Sequence, residues 1–181
     1  MNYIGEHLWA AELGRGLTAF SFAFALLSAI AYYQKGTQWK TLGRLAFRIH
    51  ATALFGLIGT LFFIMANHYF EFDYVWKHTS LDLAPRYLFS AFWEGQEGSF
   101  LLWMFWNAIL GWILTYSAKS FEGPVVGVFA AVQAFLVSMI LGVYIGDLHL
   151  GYSPFILVRE LSENVGLPWT QFADYLTRFP N

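Results

Sequence analysis

Residues Ala91-Phe92-Trp93-Glu94-Gly95-Gln96-Glu97-Gly98-Ser99-Phe100-Leu101-Leu102-Trp103 set two carboxylates, two glycines and two tryptophans directly ahead of a charge-free run that continues to residue 118. An ionised carboxylate within a turn of hydrocarbon is expensive unless water or a partner shelters it. Glu94 and Glu97 therefore read as a polar rim at the mouth of a membrane-crossing helix. Gly95 and Gly98 free the backbone for a tight turn or for close approach of a neighbour. Ser99 stands where an N-cap is expected before the apolar run. Glycine, glutamate and serine are also ordinary boundary residues, so the same turn reads equally as a plain helix boundary.

The composition agrees with a membrane setting. The 181 residues are 57% hydrophobic and 20% aromatic but only 12% charged, about half the charged share of soluble domains. A formal net charge of -2 without a basic stripe argues against nucleic-acid binding. Cysteine is absent, which excludes disulfides, thiolate metal sites and thiol chemistry. Histidine, carboxylates, tryptophan or a bound cofactor must carry whatever chemistry there is.

Four apolar runs, about residues 14–33, 49–67, 100–118 and 125–146, each approach the roughly 20 residues that span a hydrocarbon core. The first is preceded by Glu6 and Glu12 and is longer than the roughly 7 to 15 residues of a signal-peptide core, so it reads as a retained helix. Lys35, Lys40, Arg44 and Arg48 make 34–48 the densest basic segment, and short basic loops stay in the cytoplasm. That rule places both termini, the segment 69–98 and the tail 151–181 on the outer side. In the outer segment, Pro85 sits at the first position of an expected helix, and 87–93 offers a short apolar helix suited to the interface. In the tail, Ser153-Pro154 opens an expected amphipathic helix to about Asn164. A second is expected from Trp169, with Trp169, Phe172, Leu176 and Phe179 on its apolar face. The expected fold is an all-α polytopic membrane protein, one domain of about four spanning helices with short interfacial helices.

Several polar groups are candidates for chemistry. His68 and His149 fall near the outer ends of the second and fourth runs, and two imidazoles from neighbouring helices can clamp a haem iron. A histidine at a helix end is also a common interfacial polar residue. His7 and His78 belong to the same side, and His50 to the opposite end among basic residues. Glu12 and Arg15 have the i, i+3 spacing of an ion pair. Asp147 is close enough in sequence to His149 to orient its imidazole. Glu97, flanked by glycines and tryptophans, is the candidate functional carboxylate. No phosphate loop, nucleophile triad or zinc cluster occurs.

The pattern Pro85-x-Tyr87 followed by Trp93-x-x-x-Glu97-Gly98-Ser99-x-Leu101-Leu102-Trp103 resembles the signature of the CcmF family, membrane haem lyases of cytochrome c maturation. The family signature reads tryptophan, glycine, small residue, histidine or glutamine, then glutamate-glycine-serine and an apolar run ending in tryptophan. Glu94 departs from it, standing where the first glycine belongs. The resemblance implies a bacterial inner-membrane protein that attaches haem to the Cys-x-x-Cys-His motif of apocytochrome c on the periplasmic side. It implies haem as cofactor, and as partners membrane lipid, other maturation subunits and a haem carrier. Trp93, Gly95, Glu97, Gly98, Ser99 and Trp103 carry over as signature residues shaping a haem-handling face. The family's haem-ligating histidines and tryptophan-rich segment lie beyond such a stretch, so the chain is expected to be an N-terminal portion of a longer protein and not to catalyse by itself.

Two other readings stand beside this one. The chain could be the membrane anchor of a respiratory complex holding a b-type haem through His68 and His149, or a structural protein docking a partner through its amphipathic tail.

Overall fold

The computed structural model describes residues 6–145 and 148–161. Four helices are long and apolar enough to cross a membrane: α1 (Leu8–Tyr33), α2 (Thr37–Ala66), α5 (Gln96–Ser117) and α6 (Glu122–Leu141). Two short helices, α3 (Asp73–His78) and α4 (Leu88–Glu94), lie between α2 and α5. The chain is an all-α polytopic membrane protein.

The buried positions of α1 are Ala10, Ala11, Gly14, Thr18, Ser21, Ala25, Ser28 and Ala31, a helical stripe of small side chains. Lipid tails supply no hydrophobic drive for helices to associate, so close backbone approach and van der Waals packing must do it. The stripe accordingly lets α1 lie against both α2 and α6, while α5 packs on α6 and α2. Larger side chains fill the centre, with Leu54, Leu61, Met65, Leu101, Met104 and Ile140 fully buried. Phe20, Ile30, Leu110 and Phe135 face outward, where hydrocarbon is their solvent.

Helix α2 begins at Thr37, twelve residues ahead of the expected start at 49, so the basic segment is helical and the connection to α1 shrinks to residues 34–36. The charges are tolerated because they find partners. Arg44 Nε and Nη2 donate to the two oxygens of Glu122 at 2.8 and 2.6 Å, Lys40 lies 3.0 Å from the same carboxylate and Tyr32 OH donates to it at 3.0 Å. Arg48 covers the Tyr116 ring at 4.4 Å. The longer helix puts His50 in mid-helix, buried, and not at the helix end.

Helix α6 stops at Leu141, earlier than the expected 146, because Gly142 takes a left-handed conformation with φ 66° that glycine adopts without penalty. A hairpin follows, β1 (Val143–Ile145) antiparallel to β2 (Leu148–Leu150), with Tyr144 opposite His149. The helix expected from Ser153 is also absent. Residues 153–161 form a turn, a bridge between Phe72 and Leu157, and the single 3-10 turn Val158–Glu160. Tertiary contacts override the local amphipathic pattern here: Phe155 is buried against Gly14, and the Asp73 N–H donates to the Ile156 carbonyl at 3.0 Å. The second expected tail helix, from Trp169, and Asp147 lie outside the described residues.

Candidate functional site

The bundle has two chemically different ends. Where α1 starts and α2 ends, acids gather with a few cations. His7 Nδ1 lies 2.8 Å from Glu71 and its ring stacks on Tyr69 at 3.6 Å, Glu6 pairs with Arg159 at 2.9 Å, and Arg15 pairs with Glu160. Arg15 also donates to the Phe155 carbonyl at 3.0 Å, so its partners come from residues 155–160 and not from Glu12. Burial raises the Glu6 carboxyl above its usual range despite the Arg159 charge. The opposite end holds Lys35, Lys40, Arg44, Arg48 and Lys119, of which Lys40 and Arg44 pair with the buried Glu122.

The acidic end carries the turn between α4 and α5. Pro85 opens a 3-10 turn (Pro85–Tyr87) that runs into α4, as its position predicts. Extended backbone at Gly95 alone separates α4 from α5. Helix α5 starts at Gln96, so Ser99 lies inside its first turn and is not the cap; the Ser99 hydroxyl donates to the Trp93 carbonyl at 2.9 Å and stitches the two helices together.

Helix α3 supports this turn from below. The Tyr74 hydroxyl donates to the Phe92 carbonyl, and a Cβ at Gly98 would fall on that carbonyl and on the Tyr74 hydroxyl. A Cβ at Gly95 would meet the Tyr74 ring and His78 Nε2. Burial, then the nearby Glu97 charge, pushes the Tyr74 phenol well above its ordinary value and keeps it a donor. Burial holds the His78 imidazole below its usual value, with Lys77 acting in the same direction and Glu94 against it. Asp73, also buried, accepts from Lys77 at 2.8 Å and from the Tyr152 hydroxyl at 2.9 Å, which fixes α3 to the residue 152–161 segment.

Two openings flank the turn. On one side His78, Tyr87, Ser90, Trp93 and Glu94 line a cavity of about 350 Å³; on the other, Gln96, Glu97, Phe100, Met139 and Tyr152 line one of about 260 Å³. Trp93 is half exposed on α4, Gly98 is buried, Glu97 is partly buried at the wall of the second cavity and Trp103 is exposed on the outside of α5.

His68 follows α2 in a left-handed conformation, φ 54°, with its Nδ1 buried and unpartnered. His149 sits on β2 and not on α6, so a clamp between two facing helix ends lacks its second helix. Among the described residues no group of three or more histidine, aspartate or glutamate side chains is disposed to hold a metal ion.

No protein-family profile matches the sequence, and no curated protein does. A solved structure, the cytochrome c haem lyase CcmF, matches with a TM-score of 0.70 over 96% of this chain. The chain has a CcmF-like fold. It is 18% identical to CcmF and spans 28% of that protein's length, so the likeness to CcmF concerns the arrangement of helices. The residues that fix the turn, Tyr74, Asp73 and Tyr152, were not legible as functional in the sequence. The aromatic and acidic character of segment 69–98 was the one signal pointing to Asp73 and Tyr74, and Tyr152 had none.

Proposed function

We infer that this chain is the N-terminal membrane portion of a CcmF-like haem lyase system, which attaches haem to apocytochrome c on the periplasmic side of a bacterial inner membrane. The observation that carries this reading is the CcmF-like fold across 96% of the chain, with the Trp93–Ser99 turn braced at its acidic end. Both termini and the acidic end face the periplasm in this reading, because the basic end carries the cations that stay cytoplasmic.

Among the described residues, most histidines are already engaged inside the bundle. His7 is held by Glu71 and Tyr69, His50 is buried in mid-bundle, His78 is wedged against Tyr74 and Gly95, and His68 has no facing histidine on a helix. The chain therefore acts as scaffold: α3 and the segment 152–161 hold the turn rigid, and Trp93, Glu94 and Glu97 form a partly wet aromatic and acidic rim. Haem carrier, apocytochrome and the remaining maturation subunits meet this rim. Membrane lipid covers the rest.

Replacing Glu97 with Gln in the complete protein tests the reading. Haem-stained cytochrome c is expected to fall several-fold while the membrane-inserted level is unchanged. A wild-type cytochrome yield would remove the proposed role of that carboxylate.

A further inference from the structure

At the basic end, α1 and α6 part from one another. They touch where a Cβ added to Gly127 would lie 3.2 Å from the Tyr32 Cβ, but a Cβ on Gly123, one turn nearer the start of α6, would meet nothing within 4 Å. The gap is a groove of about 460 Å³, walled by Tyr32, Tyr33 and Gln34 on one side and by Gly123, Gly127 and Ala131 on the other. Its lining is chiefly apolar, and Tyr33 stands 90% exposed at its edge. In a spanning helix pair such a groove opens sideways to acyl chains.

The charge around the groove selects among lipids. Residues 34–48 and 117–124, which make up this end, hold five basic side chains and one acid, Glu122. That acid is already taken by Arg44, Lys40 and the Tyr32 hydroxyl. Lys35 directly follows the wall residue Gln34. Lys119 lies in the 3-10 turn that leads into α6, where its carbonyl accepts from Lys40 Nζ at 3.2 Å. Both lysines are exposed, and among the described residues neither pairs with an acid. An apolar helix seated in the groove would leave them unmatched. Cations beside a membrane attract anionic headgroups, and basic pockets between spanning helices hold them.

We propose that the α1–α6 groove binds one anionic phospholipid, with an acyl chain along Gly123, Gly127 and Ala131 and its phosphate held by Lys35 and Lys119. The site rests on the basic end meeting a membrane surface and not on the haem reading, and it uses none of the residues of the acidic end.

The test uses phosphatidylglycerol and phosphatidylcholine, each carrying a diazirine in one acyl chain, diluted equally into phosphatidylcholine bilayers that hold the complete protein. After illumination, labelled peptides are identified by mass spectrometry. Phosphatidylglycerol is expected to label 29–34 and 123–131 about 25-fold more than the choline lipid, a factor of about five for each lysine. Leu110 and Ile113 on the outer face of α5 are expected to be labelled alike by both lipids, which reports insertion of every variant. Lys35→Gln should lower the preference about fivefold, as should Lys119→Asn, asparagine being suited to the φ of 48° at that position. Gly123→Leu, whose side chain enters open space, should remove the groove label. Equal labelling by the two lipids would make the occupant ordinary bulk lipid, and labelling by neither would assign the groove to a protein helix or a second copy. Either result overturns the site, as would a preference that survives Gly123→Leu.

Discussion

The Tyr74 hydroxyl donates to the Phe92 carbonyl directly over Gly98, so α3, α4 and α5 meet at one bond with no room for a methyl group. Sequence places the glycine there, packing makes it obligatory, and the result is a rigid turn presenting Trp93 and Glu94 to solvent. A flexible turn would offer the same residues without fixing their spacing.

Gly98→Ala is accordingly expected to destabilise the protein by about 3 kcal/mol, the upper end of an overpacking cost, because the obstruction is backbone and cannot rotate away. Gly59→Ala, where an added methyl group would meet no other atom within 4 Å, is expected to be neutral or stabilising by about 0.5 kcal/mol from helix propensity. Thermal unfolding of both variants in nanodiscs checks the contrast. Equal melting temperatures would show that α3 does not clamp the turn.

Glu122→Gln is expected to cost about 2 kcal/mol. Removing a buried carboxylate leaves its cations uncompensated, but Arg44 and Lys40 are about one-third exposed, with side-chain exposures of 35% and 38%, and solvent moderates the full buried-pair penalty. Adding Arg44→Met should recover part of the loss. A double-mutant cycle measures this, and a coupling energy below about 0.5 kcal/mol would mean that the network is ornamental to stability.

His78 gives a pH dependence with a defined sign. Its folded-state value is lowered, chiefly by burial, so the unfolded chain takes up a proton first as pH falls below the ordinary value of about 6.5. Its contribution is complete above that pH and is lost progressively as pH falls toward the folded value. The melting temperature of the wild type is expected to drop more between pH 7.5 and 5.5 than that of His78→Gln. Parallel curves would place His78 in solvent.

Much of the architecture was legible because a membrane demands long charge-free runs, and because Pro85 at the first position of a helix is a local signal. The start of α2 was not legible. Lys40 and Arg44 read as loop residues until their partner Glu122, 78 residues beyond Arg44, is brought to them by the α1, α2 and α6 packing. The early end of α6 had a local marker in Gly142, which the continuing apolar residues outweighed. The segment after Ser153 has helical spacing, yet burial of Phe155 against Gly14 and backbone bonds to residues 71 and 73 hold it in turns. At the site, Trp93, Glu97 and Gly98 stood out in sequence through an unusual density of charge and glycine beside hydrocarbon. Tyr74 did not, because its role depends on a bond to a carbonyl 18 residues away.

The central claim is that the braced turn opens to the periplasm, where haem is attached. The chain has no cysteine, so single cysteines report cleanly on sidedness. Glu94→Cys should react with a membrane-impermeant maleimide in intact spheroplasts, and Lys35→Cys only after the membrane is broken. Labelling of Lys35→Cys from outside, with Glu94→Cys protected until lysis, would contradict both the orientation and the function built on it.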